Sequence, residues 1–191
     1  MASNPERRQQ LLDGAVEVLA AKGGRGLTFA AVDTAAGVPP GTASNYFASR
    51  DQLLAELASH VFTRLTPDPV ESARRMQQPS QSTELDLMNW LVERAVGDRA
   101  AHLALFELRL EATRNARVAP TVTETFARNL EAITADHVDG GFPGGRPTAL
   151  VLYLAMSGLL LEHLTMPELL GDDAIRSVVE RIVTTVVPNA P

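Results

Sequence analysis

The sequence predicts an all-α protein: an N-terminal three-helix head with a helix-turn-helix, followed by a larger helical body. Apolar residues recur at three- and four-residue spacing through nearly every segment. No run alternates with the period of two that a half-buried strand needs, and Gly or Pro clusters fall where one helix must yield to the next. No internal repeat or heptad run stands out.

The first helix takes Asn4 as its cap, Pro5 at its first position and Glu6 where a carboxylate suits the dipole. Leu11, Leu12, Ala15, Val16 and Leu19 form its apolar stripe, and Gly23-Gly24 stop it. Gly14, in mid-helix, costs about 1 kcal/mol relative to Ala and is read as a point of close packing. Thr28 caps a short second helix carrying Phe29, Val32 and Ala36, which ends at Gly37. A third runs from about Pro40 to Phe47, and Ser49 caps a long fourth with Leu53, Leu54, Leu57, Val61, Phe62 and Leu65 inward. Pro67 and Pro69 break that helix, and Asp68-Pro69 restarts a short one toward Met76. Gln77 to Thr83 reads as a loop, as does Gly140 to Gly145. Further helices are placed near 83–96, 99–115, 119–139, 146–165 and 172–187, with one domain boundary near residue 50 separating 1–50 from 51–191.

Composition excludes several classes. The absence of cysteine removes disulfides, thiol nucleophiles and Cys-ligated zinc. No uninterrupted run of about 18 apolar residues suggests a membrane span, and MASNPERRQQ lacks the apolar stretch of a secretory signal. The expectation is a soluble cytoplasmic protein without membrane contact. Net charge is −6, yet residues 1–50 carry Arg7, Arg8, Lys22, Arg25 and Arg50 against Glu6, Asp13, Glu17 and Asp33. A mildly basic head on an acidic body suits a local phosphate-binding surface, which needs positive charge only where it touches.

The stretch from Thr28 to Leu54 points most directly at a partner. Leu27-Thr28, then Ala36-Gly37-Val38 at the turn, Gly41-Thr42 opening the third helix, and Tyr46-Phe47-x-Ser49-Arg50-Asp51-x-Leu53-Leu54 resemble the DNA-binding domain of tetracycline-repressor-like (TetR) transcriptional regulators over roughly residues 7–55. The resemblance implies a helix-turn-helix that reads double-stranded operator DNA, with the positions of Thr28, Thr42, Ser44, Asn45, Tyr46 and Arg50 commonly meeting it. The residues agree with this on physical grounds. Phe47 and Val38 can anchor the reading helix, and Gly41 lets it approach the backbone closely. Thr42, Ser44 and Asn45 are short and polar, and Asn can pair bidentately with adenine. Tyr46 is either a phosphate donor or a packed aromatic. Arg50 is either a phosphate ligand or a solvated base, and Arg7 and Arg8 either steer the chain start or are solvated. Thr28 and Ser49 cap helices whether or not they also touch phosphate.

Departures from the family pattern predict an unusual operator preference. Pro39 stands where Ser often caps the reading helix, and Ala43 and Ser44 stand where Leu and Tyr are usual. Asp33 replaces a small Ala and is expected beside the DNA-facing surface, where an acid is unwelcome.

The resemblance further implies a ligand-binding and dimerisation domain. The segments 148–165 and 172–187 are apolar around much of their circumference, as helices of a homodimer interface would be; burial in a monomer core is the other reading. Trp90, Leu103, Phe106, Leu110, Phe126, Tyr153 and Met156 lie where the family encloses a small-molecule inducer. A lining of this kind suits a hydrophobic or amphipathic ligand. His60, His102, His137 and His163 are widely spaced, and Glu56/His60 and Asp98/His102 read as surface ion pairs on helix faces. With no catalytic motif, no cofactor and no metal are expected, and neither is an enzyme. The alternative is a helical protein-interaction adaptor that has lost DNA binding.

Overall fold

Short polar side chains open the helices where the sequence places them. In a computed structural model that describes residues 4–189, the Asn4 side chain accepts from the Arg7 N–H and Thr28 from that of Ala31. Ser49 does the same for Gln52, and Asp68 for Val70 and Glu71. Ten helices follow among the described residues: α1 (Pro5–Gly26), α2 (Phe29–Ala35), α3 (Thr42–Tyr46), α4 (Arg50–Leu65), α5 (Pro69–Arg75), α6 (Gln81–Gly97), α7 (Arg99–Arg114), α8 (Ala119–Asp139), α9 (Gly145–Thr165) and α10 (Asp172–Val186). The polar stretch expected as a loop to Thr83 ends earlier, because the Ser80 hydroxyl accepts from the Thr83 N–H and starts α6. Gly23 breaks α1 as expected, with a left-handed φ of 64°, but one more turn runs on to Gly26. Met1–Ser3 of the N-terminal stretch, and Ala190 and Pro191, lie outside the described residues.

The chain divides into two compact units. One comprises the chain through Thr66 with Arg99–Phe126; the other comprises Pro67–Asp98 with Ala127 onward. Residue 50, the boundary expected from sequence, begins α4 inside the first unit.

In the first unit α1 is the spine, packing on α2, α4 and α7. Leu11, Ala15, Val16 and Leu19 of α1 share one core with Val32, Ala43, Phe47, Leu53, Leu54 and Leu57, and with Ala101, Ala104 and Leu108 of α7. Gly14 confirms the close-packing expectation: a Cβ there would stand 2.8 Å from the Ala36 backbone nitrogen. Gln10 tightens the same junction by donating to the Ala36 carbonyl at 2.7 Å.

In the second unit α6, α9 and α10 pack together, with Leu152, Val183 and Val187 buried and Leu85 and Met88 against them. By length and composition α9 is long and apolar enough to cross a membrane. Leu152, Met156, Leu159, Leu160 and Leu164 are buried in this unit, while Val151, Leu154 and Leu161 on the remaining face are exposed.

Gly14→Ala should therefore reverse the usual gain of alanine in a helix. Urea unfolding is expected to show a loss of about 1–3 kcal/mol from overpacking against the Ala36 backbone.

Candidate DNA-reading surface and helical body

A five-residue helix has little stability of its own, so its surroundings decide where α3 points. Gly37 and Gly41 frame it with left-handed φ values of 63° and 86°. A Cβ at Gly41 would meet nothing within 4 Å of the protein, so within the protein the glycine serves the turn's conformation. Ala43 and Phe47 are fully buried, and Val38 is nearly so, as anchors.

The reading face left outside is short and polar. Ser44 and Asn45 are exposed, as is Thr28 at the start of α2, and Thr42 is half-buried. The Thr42 hydroxyl donates to the Pro39 carbonyl at 2.5 Å and the Ser44 hydroxyl to that of Gly41 at 2.8 Å. Both retain lone pairs to accept from a base amino group. Tyr46 is half-buried and packs on the head core.

The basic residues are more engaged than sequence suggested. Arg50 donates to Glu111 at 2.7 Å, to the Gly24 carbonyl at 2.6 Å and to the Leu27 carbonyl at 3.3 Å. It is therefore not free, yet its side chain is 37% exposed and these bonds use three of its five N–H donors, which leaves two for a phosphate. Arg8 is likewise not a solvated start of helix: it pairs with Glu56, donates to the Tyr46 carbonyl and lies 4.8 Å over the Phe47 ring. Glu56 is thereby taken from the expected pair with His60, which meets Asp13 at 2.7 Å instead. Lys22 and Arg25 stand exposed.

Asp33 corrects a second expectation. It is buried rather than beside the outer surface, and its carboxylate accepts from the Gly41 N–H at 2.6 Å and the Ala43 N–H at 2.7 Å.

The candidate ligand-lining residues fall in both units. Leu103, Phe106 and Leu110 share a stripe of α7, on the side opposite its buried Ala101, Ala104 and Leu108. Leu103 and Phe106 are half-buried and Leu110 is 47% exposed. Phe126 meets Phe62 edge-on at 4.9 Å, with Arg109 4.9 Å from its ring. In the other unit Trp90 is half-buried between the guanidiniums of Arg75 and Arg94, at 4.5 and 5.1 Å. Tyr153 is half-buried and Met156 buried on α9.

Sequence reading missed a buried pair in the second unit. Glu84 on α6 lies 3.4 Å from His137 on α8, within reach of charge attraction but without hydrogen-bond alignment. The His137 ring stacks on Phe142 and must donate its Nε2 proton toward the Pro143 carbonyl, 3.3 Å away, because a carbonyl only accepts. Burial pushes the Glu84 carboxyl up to about 7 and His137 below its ordinary value.

A short polar-faced helix, held by a left-handed glycine turn against two others and followed by an all-helical body, defines a helix-turn-helix DNA-binding protein. Residues 11–57 match the family described as bacterial regulatory proteins, tetR family, and residues 79–189 match the tetracyclin repressor-like C-terminal domain. The chain belongs to the TetR family of transcriptional regulators. It is 30% identical over 77 residues to the HTH-type transcriptional regulator BetI of Brucella anthropi, a match covering 40% of each chain. BetI of Rhizobium meliloti is 31% identical over 77 residues, 40% of this chain and 38% of that protein. The match thus spans about two fifths of the length of these curated relatives. Likeness to solved structures extends further. The multidrug binding protein EbrR complexed with imidazole superposes with a TM-score of 0.67 at 26% identity over 98% of each chain. A TetR-family member from Streptomyces coelicolor gives 0.70 at 25% identity, over 96% of this chain and 99% of that one.

The raised Glu84 carboxyl has a definite sign. The folded protein holds this proton to about pH 7 whereas a free carboxyl releases it near 4.5, so Glu84 lowers stability as pH rises between those values. Glu84→Gln should match the wild type at pH 4 and exceed it at pH 8 by a few kcal/mol, as urea unfolding at the two pH values would measure.

Proposed function

We propose that the chain is a cytoplasmic homodimeric repressor that holds a palindromic operator and is released by a small hydrophobic or amphipathic molecule. The reading rests most on the exposed edge of Thr28, Ser44 and Asn45, with half-buried Thr42 beside them, set on an otherwise packed head. Residues 1–50 meet DNA in this account, and residues 51–191 bind ligand and dimerise. Asn45, with Thr42 and Ser44, reads base edges. Thr28, Tyr46 and Arg50 meet the sugar-phosphate backbone, Arg50 through the N–H donors that its internal bonds leave over.

Dimerisation is supported by the exposed stripe of Val151, Leu154 and Leu161 on α9, joined by Val178 of α10. Gly158 lies within the α9 stripe with nothing within 4 Å of where a Cβ would stand, room for a second helix to approach. A two-fold dimer would place two α3 helices on successive major-groove faces, about 34–36 Å apart. EbrR has been solved with proflavin and with malachite green, which supports an apolar or amphipathic effector here. Such an effector acts only through its differential affinity for the DNA-competent and released states. The second reading, an adaptor without DNA binding, is favoured by the three bonds that Arg50 makes within the protein.

Selection of bound duplexes from a random library is expected to return a palindrome, and Asn45→Ala should cost about 1–3 kcal/mol at one base pair of each half-site. Retention of no duplex above background would favour the adaptor.

A further inference from the structure

Neither Pro39 nor Gly41, which stands at the N-cap of α3, has a side-chain oxygen to cap the reading helix. The cap comes instead from α2. Asp33 accepts with one carboxylate oxygen from Gly41 and with the other from Ala43, while its own carbonyl accepts from the Val38 N–H at 3.0 Å. One residue therefore spans the whole turn with three bonds. Its helix is fixed in turn against α1, through Gly14 against Ala36 and Gln10 on the Ala36 carbonyl. Within α3 only Ala43 is buried, so Asp33 holds the start of the helix while buried Phe47 and the Arg8 bond to the Tyr46 carbonyl hold its end.

We propose that Asp33 is a positioning residue for DNA recognition: it fixes the orientation of α3 and so sets which bases Thr42, Ser44 and Asn45 reach. The proposal rests on the DNA-binding reading above. Occupying the Gly41 and Ala43 N–H groups from within also denies them to phosphate, which shifts the work of α3 from backbone contact to base contact. The buried carboxylate is a cost to general affinity for a polyanion, so its benefit must lie in discrimination.

Asp33→Asn keeps the shape but sets an amide N–H against one of the two backbone donors. In the full chain the ratio of affinities for a library-selected duplex and a random duplex should fall roughly tenfold, with random-duplex binding unchanged or slightly tighter because a negative charge is lost. Amide exchange at Gly41 and Ala43 should accelerate in the variant, while α9 and α10 stay protected. An unchanged ratio, an equal loss for both duplexes, or Gly41 and Ala43 amides that exchange in the wild type as fast as an open loop would overturn the proposal. A wild type that does not distinguish the two duplexes would instead refute sequence-specific DNA binding itself, while the amide exchange still reports whether Asp33 holds the turn.

Discussion

The five residues of α3 make too few internal hydrogen bonds to hold a helix in water, so their orientation is inherited from α1 and α2. The inheritance runs through close contacts rather than through bulk apolar area. A missing Cβ at Gly14 lets α2 lie against α1, two left-handed glycines turn the chain, and a buried carboxylate gathers the amides at the start of α3. Ala43 and Phe47 then seat the helix from beneath, which leaves Ser44 and Asn45 as its exposed edge.

A second junction ties this head to α7. Arg50 at the start of α4 bonds the two carbonyls that end α1 and the Glu111 carboxylate, and Glu107 accepts from the Gly24 N–H at 3.2 Å. A Cβ at Gly24 would displace the Glu111 carboxylate, the movable end of that side chain. One face of α7 contributes Ala101, Ala104 and Leu108 to the head core, while Leu103, Phe106 and Leu110 lie on the opposite stripe. A helix of this kind has two faces with separate duties, and the first is structural. Charge-assisted bonds of a partly buried guanidinium are among the stronger polar contacts, which explains why the most basic-looking feature of the motif is committed to the protein.

Local signals in the sequence were read well and distant ones were not. Asn4, Thr28, Ser49 and Asp68 each cap a helix by bonding to an amide two or three residues on, a relation that spacing alone reveals. The apolar stripes of α4, α9 and α10 are periodic and were equally legible. Asp33 looked like an acid facing outward because its partners are eight and ten residues away, across a turn whose geometry spacing does not specify. Arg50 and Arg8 looked free because their carboxylate partners lie 61 and 48 residues on. The pairing of His60 with Asp13 was hidden by a nearer carboxylate, Glu56, at the right helical spacing. Glu84 and His137, 53 positions apart and both buried, gave no sequence signal at all.

The central claim is that recognition is concentrated on the narrow edge offered by α3 and the cap of α2. Mapping backbone amide shifts of the full-length protein as a library-selected duplex is added tests it most directly. The account predicts the largest changes at Thr28, Thr42, Ser44 and Asn45, with α9 and α10 nearly unmoved. Changes centred on α9 and α10, or spread evenly over the surface, would contradict it.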